Sequence, residues 1–171
     1  MKRALIVGVI GVVVAAGAWA HWPRDPLPDG AIADRVVVLK AERKLELYDG
    51  SNLVRSYPVS LGRQPVGAKL QQGDKRTPEG AYTIDYRKPD SSYHRALHIS
   101  YPRPDQVAAA AARGASPGDL IMIHGLPNGI GFVGRLHLLF DWTVGCIAVT
   151  NRDIEEIWRV VPDGTPIEIR P

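Results

Sequence analysis

The class of fold is decided by residues 36–61, which read VVVLKAERKLELYDGSNLVRSYPVSL. The β-branched run 36–39 and the alternation of polar and apolar residues over 44–48 are both typical of strands. The pair Asp49-Gly50 that follows is a strong hairpin signal, and extended character resumes after it. We therefore predict that this stretch folds as a meander of neighbouring antiparallel strands.

Strand and helix signals continue from this stretch to the carboxyl terminus. The turn Thr77-Pro78-Glu79-Gly80 precedes another alternating pattern. Short helices are indicated from Pro104 to Ala112 and after Thr150, where Thr150 and Asp153 resemble a capping box. Many short strands with two short helices favour a mainly β domain over a βαβ fold. The remaining predicted strands cover residues 81–86, 91–101, 120–123 and 165–170.

The amino-terminal segment has the anatomy of an export signal. Lys2 and Arg3 precede an apolar run that ends in Ala18-Trp19-Ala20, a plausible cleavage site. Seventeen apolar residues also lie at the lower limit for a membrane anchor. We predict a signal peptide or anchor at 1–20, a Pro-rich linker at 21–33 and an exported domain at 34–171. The location expected is the periplasm or cell envelope, with inner-membrane contact only through an uncleaved segment.

The composition of the 171 residues excludes several classes of function. The formal net charge is +3, but removing Lys2 and Arg3 from the 21 basic residues leaves 19 against 18 acidic ones. A nucleic-acid partner therefore loses its main electrostatic support. A single Cys can build neither a disulfide framework nor a multi-thiolate metal site.

Two motifs that could bind a metal ion or a cofactor lack the required context. His94 and His98 would lie about 13 Å apart along a strand, too far to share one ion, and no metal site is predicted. The glycines at 129, 131 and 134 match a dinucleotide fingerprint, but no long helix follows them. We interpret that segment as a flexible loop and predict that no cofactor is required.

Cys146 is the candidate nucleophile, and two histidines are candidate bases. The thiol follows Gly145, which lets a ligand or backbone approach closely. Because a free thiol has a pKa near 8.5, a nucleophilic role requires a neighbouring base. His124 ends a short apolar strand, whereas His137 alternates within Leu136-His137-Leu138 and is better interpreted as a strand residue with a satisfied hydrogen bond. Residue patterns alone indicate a Cys-His hydrolase or acyltransferase.

Three ordered motifs resemble the YkuD-type L,D-transpeptidase catalytic domain. They are the Thr77–Gly80 turn, Ile123-His124-Gly125, and the nucleophile motif running from Thr143 to Ala148. The resemblance covers about residues 36–171. It implies a β-rich catalytic domain of the cell envelope that acts on peptidoglycan stem peptides containing diaminopimelate.

The resemblance also implies roles for individual residues. Cys146 would form a thioester, His124 would be its base, and Gly145 with Cys146 would supply oxyanion donors. Thr143 would hold the site by a hydrogen bond, and Gly125 would contact substrate.

Two positions depart from the family pattern, because Val144 and Ala148 replace its usual His and Arg. The form W-T-x-G-C-I-A-V-T resembles a branch that includes enzymes implicated in releasing envelope protein from peptidoglycan. Transpeptidation, hydrolysis by a carboxypeptidase or amidase, and a non-catalytic peptidoglycan-binding module therefore remain open, with an attached envelope protein as one further partner.

Overall fold

The computed structural model describes residues 17–171, whose strands form one curled mixed sheet. The mainly β prediction is confirmed, and the arrangement is the mixed sheet rather than a sandwich of separate sheets. The strands are β1 (Arg35–Leu39), β2 (Lys44–Asp49), β3 (Asn52–Pro58), β4 (Gly80–Ser91), β5 (His94–Ile99), β6 (Met122–His124), β7 (Ile147–Ala148) and β8 (Pro166–Arg170). Their order across the sheet is β3-β2-β1-β8-β4-β5-β6-β7.

The first three strands form the predicted antiparallel meander. Asp49 pairs with Asn52, so the hairpin between β2 and β3 has a two-residue loop. Gly50 adopts a φ of 59° in that loop, a backbone conformation that glycine reaches without strain. The alternation read from the sequence places Leu45 and Leu47 in the core on one face of β2.

Strand β4 carries the sheet from its amino-terminal half to the half that bears the candidate site. Its first residues pair with β8 and its later residues pair with β5, with register shifts between Ile84 and Tyr86 and between Lys88 and Ser91. Such irregularities bend a strand and increase its twist. The consequence is a curled sheet that brings β5, β6 and β7 around a shared core.

Two helices lie where the sequence predicts them, α1 at Pro104–Ala111 and α2 at Asn151–Val160. The hydroxyl of Thr150 accepts a hydrogen bond of 3.1 Å from the backbone N–H of Asp153, which confirms the cap of α2. Ile154 and Ile157 of α2 are fully buried, and the helix packs against β5 and β6. Helix α2 therefore supports the end of the sheet that carries His124.

The segment from Gly131 to Leu139 differs from its prediction as a flexible loop. It forms a 3-10 helix with a break at Gly134, where φ is 53°. His137 lies in this helix, so its interpretation as a strand residue is wrong. A Cβ atom on Gly134 would stand 2.6 Å from the carbonyl oxygen of Ala20, which explains the need for glycine in this close packing.

The residues before β1 pack on the domain with little regular structure of their own. Leu27 is buried, its N–H donates to the Glu156 carboxylate, and Arg24 pairs with Asp153 of α2 at 3.3 Å. Residues 17–20 are helical, and the greater part of the predicted signal or anchor, residues 1–16, lies outside the described residues. Between residues 17 and 171, no helix has the length and apolar character needed to cross a membrane.

Candidate active site

The parallel pair β6–β7 brings Cys146 and His124 to one cleft. His124 pairs with Ala148, and Cys146 lies two residues before Ala148, so the two side chains face the same side of the sheet. Both line a cleft of about 430 Å³. The other lining residues are Arg63, Lys88, Ser91, Ser92, Tyr93, Ala96, Leu120, Met122, Trp142, Thr143 and Val144.

His124 is buried with one ring nitrogen committed to its own neighbour. Its Nδ1 lies 2.7 Å from the carbonyl oxygen of Gly125, so the ring donates there and leaves the lone pair on Nε2. Tyr93 and Trp142 pack against the ring, with centroids 4.5 and 5.8 Å away. Burial lowers the pKa of His124 to about 4. The imidazole is therefore neutral at pH 7 and can accept a proton.

Cys146 is half-buried and its thiol is protonated at rest. The Sγ atom lies 3.5 Å from the carbonyl oxygen of Leu120, to which the thiol donates. Burial raises the pKa of the Cys146 thiol, although the backbone N–H of Met122 acts in the opposite direction. The resting pair is thus a neutral thiol beside a neutral imidazole, rather than a thiolate with an imidazolium.

The hydroxyl of Thr143 holds the backbone of the nucleophile motif. It donates to the carbonyl of Cys146 at 2.8 Å and accepts from the N–H of Gly145 at 3.1 Å. Gly145 is buried with a φ of 139°, and a Cβ there would stand 2.8 Å from the carbonyl oxygen of Arg76. The Gly145 N–H is therefore occupied within the motif in this conformation, instead of pointing into the cleft as an oxyanion donor.

Gly125 lies behind His124 rather than on the wall of the cleft. A Cβ at Gly125 would approach Asn151 Oδ1 to 2.8 Å and the carbonyl oxygen of Tyr93 to 3.1 Å. The Gly125 carbonyl orients the imidazole, and its N–H donates to the carbonyl of Arg95. The structure thus gives Gly125 a positioning role for the base, where the sequence indicated contact with substrate.

The turn Thr77–Gly80 is tied to the nucleophile motif through residues that the sequence did not single out. The Thr77 hydroxyl accepts from the N–H of Gly62, and Gly62 bridges to Thr143. Lys40 is buried, and its Nζ donates to the carbonyl of Thr77 at 3.2 Å and to Glu79 at 2.7 Å. A lysine directly after a β-branched strand is expected to be exposed to solvent. No local sequence pattern therefore predicts that Lys40 is buried.

His137 lies behind Trp142, away from the cleft wall. The Trp142 indole N–H donates to His137 Nδ1 at 3.3 Å, and the Ser60 hydroxyl donates to the His137 carbonyl at 2.9 Å. Burial lowers the pKa of His137 to about 4 as well. Trp142 therefore separates the two imidazoles, and the structure places only His124 in the cleft with Cys146.

The remaining histidine pair forms no shared site. His94 Nε2 lies 2.7 Å from Glu155, and His98 Nδ1 lies 2.6 Å from Asp85, so each ring has a separate carboxylate partner. Across residues 17–171, no group of three or more His, Cys, Asp or Glu side chains is arranged to hold a metal ion.

Comparison with known proteins identifies the family of this chain. The family model of the L,D-transpeptidase catalytic domain YkuD matches residues 33–169. The chain is a member of the YkuD family. A protein of Escherichia coli K12 named as the L,D-transpeptidase YafK is 33% identical over an alignment of 133 residues. The match covers 74% of this YkuD domain protein and 46% of YafK. The chain thus spans about half the length of that curated relative.

One further relative and one solved structure extend the comparison of this YkuD domain. The Bacillus licheniformis protein named as the L,D-transpeptidase YkuD is 26% identical over 176 residues, covering 96% of the chain and 81% of the relative. The solved structure of the helical cell shape determining protein Pgp2 from Campylobacter jejuni gives a TM-score of 0.58 at 23% identity, covering 91% of this chain and 54% of that one. At this identity the Pgp2 likeness concerns the fold alone.

Replacing Thr143 with valine tests the role of its hydroxyl. Valine keeps the shape but leaves the Gly145 N–H and the Cys146 carbonyl without this partner, at a cost of about 1–3 kcal/mol in the free energy of unfolding. Thr165→Val is a matched control, because its buried hydroxyl donates to the carbonyl of Pro162 at 2.7 Å, outside the nucleophile motif. Denaturant unfolding should show destabilisation in both, whereas only Thr143→Val should change the rate at which iodoacetamide alkylates Cys146, because Thr143 holds the backbone of the nucleophile motif. Equal alkylation rates would contradict the assignment.

Proposed function

We propose that this YkuD domain is a cell-envelope cysteine acyltransferase that acts on diaminopimelate-containing stem peptides of peptidoglycan. The observation that carries the proposal is the cleft in which Cys146 and a neutral His124 face the same space. Family membership supplies the reaction class, since the matched family is that of L,D-transpeptidase catalytic domains. The basic and apolar pattern of residues 1–20 supports export to the compartment where this substrate is found.

The proposed reaction begins with proton transfer from Cys146 to His124. The sulfur attacks the carbonyl carbon on the L-centre of diaminopimelate, and Nε2 of His124 takes the thiol proton. Collapse of the tetrahedral intermediate breaks the amide bond, and His124 returns the proton to the departing amine. The resulting thioester is then attacked by an amine, which gives a crosslink, or by water, which gives hydrolysis.

Negative charge on the tetrahedral intermediate requires hydrogen-bond donors. Because the Gly145 N–H donates to Thr143, we assign the N–H of Cys146 as the oxyanion donor of this motif. One well-placed donor is worth about 3 kcal/mol of transition-state stabilisation. The positive φ of Gly145 sets the direction of the peptide group that carries this N–H.

Cationic side chains in the cleft suit the carboxylates of a stem peptide. Arg63 and Lys88 line the same cleft as Cys146, and Arg63 is fixed by donating to the carbonyl of Trp142 at 3.1 Å. Ala148, at the position where the family pattern has Arg, is buried and lies outside the cleft lining. We therefore assign carboxylate recognition to Arg63 and Lys88.

The function is tested by incubating the purified full chain with tetrapeptide muropeptides and following products by mass spectrometry. We expect an acyl adduct on Cys146 and loss of the terminal residue. A dimeric muropeptide would identify transpeptidation, and a tripeptide product would identify hydrolysis. Binding of muropeptide without adduct or product would overturn the proposed activity in favour of a binding module.

The pH dependence of turnover tests whether His124 is neutral in the resting enzyme. Because a protonated His124 cannot accept the thiol proton, activity is lost as pH falls through the His124 pKa, which burial lowers to about 4. The acid limb of kcat/KM should therefore lie near pH 4 rather than near the ordinary histidine pKa of about 6.5. Circular dichroism at each pH separates this titration from unfolding. An acid limb near 6.5 with the fold intact would contradict the neutral resting state.

A further inference from the structure

An exposed apolar surface lies beside the candidate active site. We define the apolar lobe as residues 130–140, which include the 3-10 helix. Phe132, Leu139 and Phe140 are 73%, 71% and 64% exposed, and a groove of about 490 Å³ runs along the lobe between apolar side chains. Contiguous exposed apolar surfaces of this kind mark contact with another protein or with a membrane.

The amino-terminal apolar run joins the domain at this same lobe. The carbonyl of Ala20 lies against Gly134, and the Arg135 guanidinium donates to the carbonyl of Trp22 at 3.3 Å. Trp19 and Trp22 are both substantially exposed there. Tryptophan is enriched at membrane–water interfaces, because its ring is apolar and its N–H is polar. The described end of the apolar run, residues 17–20, therefore lies next to the exposed lobe.

Positive charge borders the lobe on the side of the amino-terminal segment. Burial lowers the pKa of Arg135, and the nearby charges of Arg24 and Arg152 lower it further, while Asp153 opposes them. Asp153 pairs with Arg24 and offsets one of these three guanidinium charges. Guanidinium groups beside an apolar surface match the phosphates that lie above the acyl chains of an anionic bilayer.

We propose that the apolar lobe rests on the surface of an anionic lipid bilayer. Phe132, Leu139 and Phe140 enter the interface, and the arginines face the phosphates. The groove has the volume of a site for one small ligand. The proposal goes beyond the reaction of Cys146 and does not depend on it.

This orientation has a consequence for the catalytic cleft. Trp142 lines both the groove of the lobe and the cleft that holds His124. A lobe seated on lipid therefore places the cleft beside the membrane surface and directs substrate entry along that surface.

The proposal is tested with the full chain in lipid vesicles, using an environment-sensitive nitrobenzoxadiazole label. The probe is attached in Cys146→Ala/Phe140→Cys, and the matched control is Cys146→Ala/Val66→Cys, because Val66 is 83% exposed and lies outside the apolar lobe. In vesicles of phosphatidylcholine with phosphatidylglycerol, we expect a blue shift and quenching by brominated lipid at position 140 but not at 66. Cys146→Ala/Phe132→Cys provides a second site should the first variant fold poorly.

Each other outcome overturns part or all of the proposal. Equal responses at positions 140 and 66 would reject lipid contact by the lobe. A blue shift at 140 that is already present without vesicles would show that the chain's own residues or a second copy cover the groove. If the response at position 140 were as large in vesicles of pure phosphatidylcholine as in the mixed vesicles, the role given to the arginines would be rejected. Because every variant lacks Cys146, none of these results bears on the proposed chemistry.

Discussion

Replacing Cys146 with alanine is expected to reduce turnover of a tetrapeptide muropeptide by at least about 10⁴-fold, because no other group replaces a nucleophile that forms a covalent intermediate. The side chain is half-buried and packs few atoms, so the free energy of unfolding should change little. Both quantities are measured on the same preparation, by product analysis and by denaturant unfolding.

Cys146→Ser refines this expectation. Serine keeps an O–H in place of the S–H, but its hydroxyl is a weaker nucleophile when the base has a pKa near 4. We expect a loss close to that of alanine and no acyl adduct on the protein. Full turnover in either variant would show that the proposed mechanism is wrong.

The second large effect is expected at His124. Removing a general base costs about 10²–10⁴-fold in rate, so His124→Ala should lower kcat by about 10³-fold. His137→Ala is the matched control, because His137 is equally buried and its pKa is also lowered to about 4. Since Trp142 separates His137 from the cleft, its loss should change stability more than rate.

The variant His124→Gln separates loss of the base from loss of the fold. Glutamine fills similar space and can donate to the Gly125 carbonyl, but it cannot accept a proton from Cys146. If His137→Ala slows turnover more than His124→Gln while both variants remain folded, the role of base moves to His137.

Much of the fold follows from local pattern. The meander, the turn at Asp49-Gly50 and the cap at Thr150 each depend on a few neighbouring residues, and the structure confirms them. The order β1-β8-β4 could not be predicted, because strands distant in the chain become neighbours only when the sheet forms. The 3-10 helix was also missed, since its break at Gly134 depends on packing against Ala20, a long-range contact.

The candidate site likewise combines features that follow from local motifs with features that depend on long-range contacts. Cys146 and His124 were predicted from their motifs, and their shared cleft arises from the parallel pairing of β6 with β7. Sequence reasoning missed Lys40, whose partners come from the loop after β3 and from the Thr77–Gly80 turn. It also gave Gly145 an oxyanion role, because a motif does not show that Thr143 already accepts its N–H.

The raised pKa of the Cys146 thiol has a consequence for the durability of the protein. Peroxide and disulfide reagents attack the thiolate, and the first product with peroxide is a sulfenic acid. A thiol that stays protonated on the Leu120 carbonyl offers these oxidants little thiolate. In the oxidising compartment that the proposed export would imply, the only cysteine of the sequence would therefore remain chemically intact between turnovers.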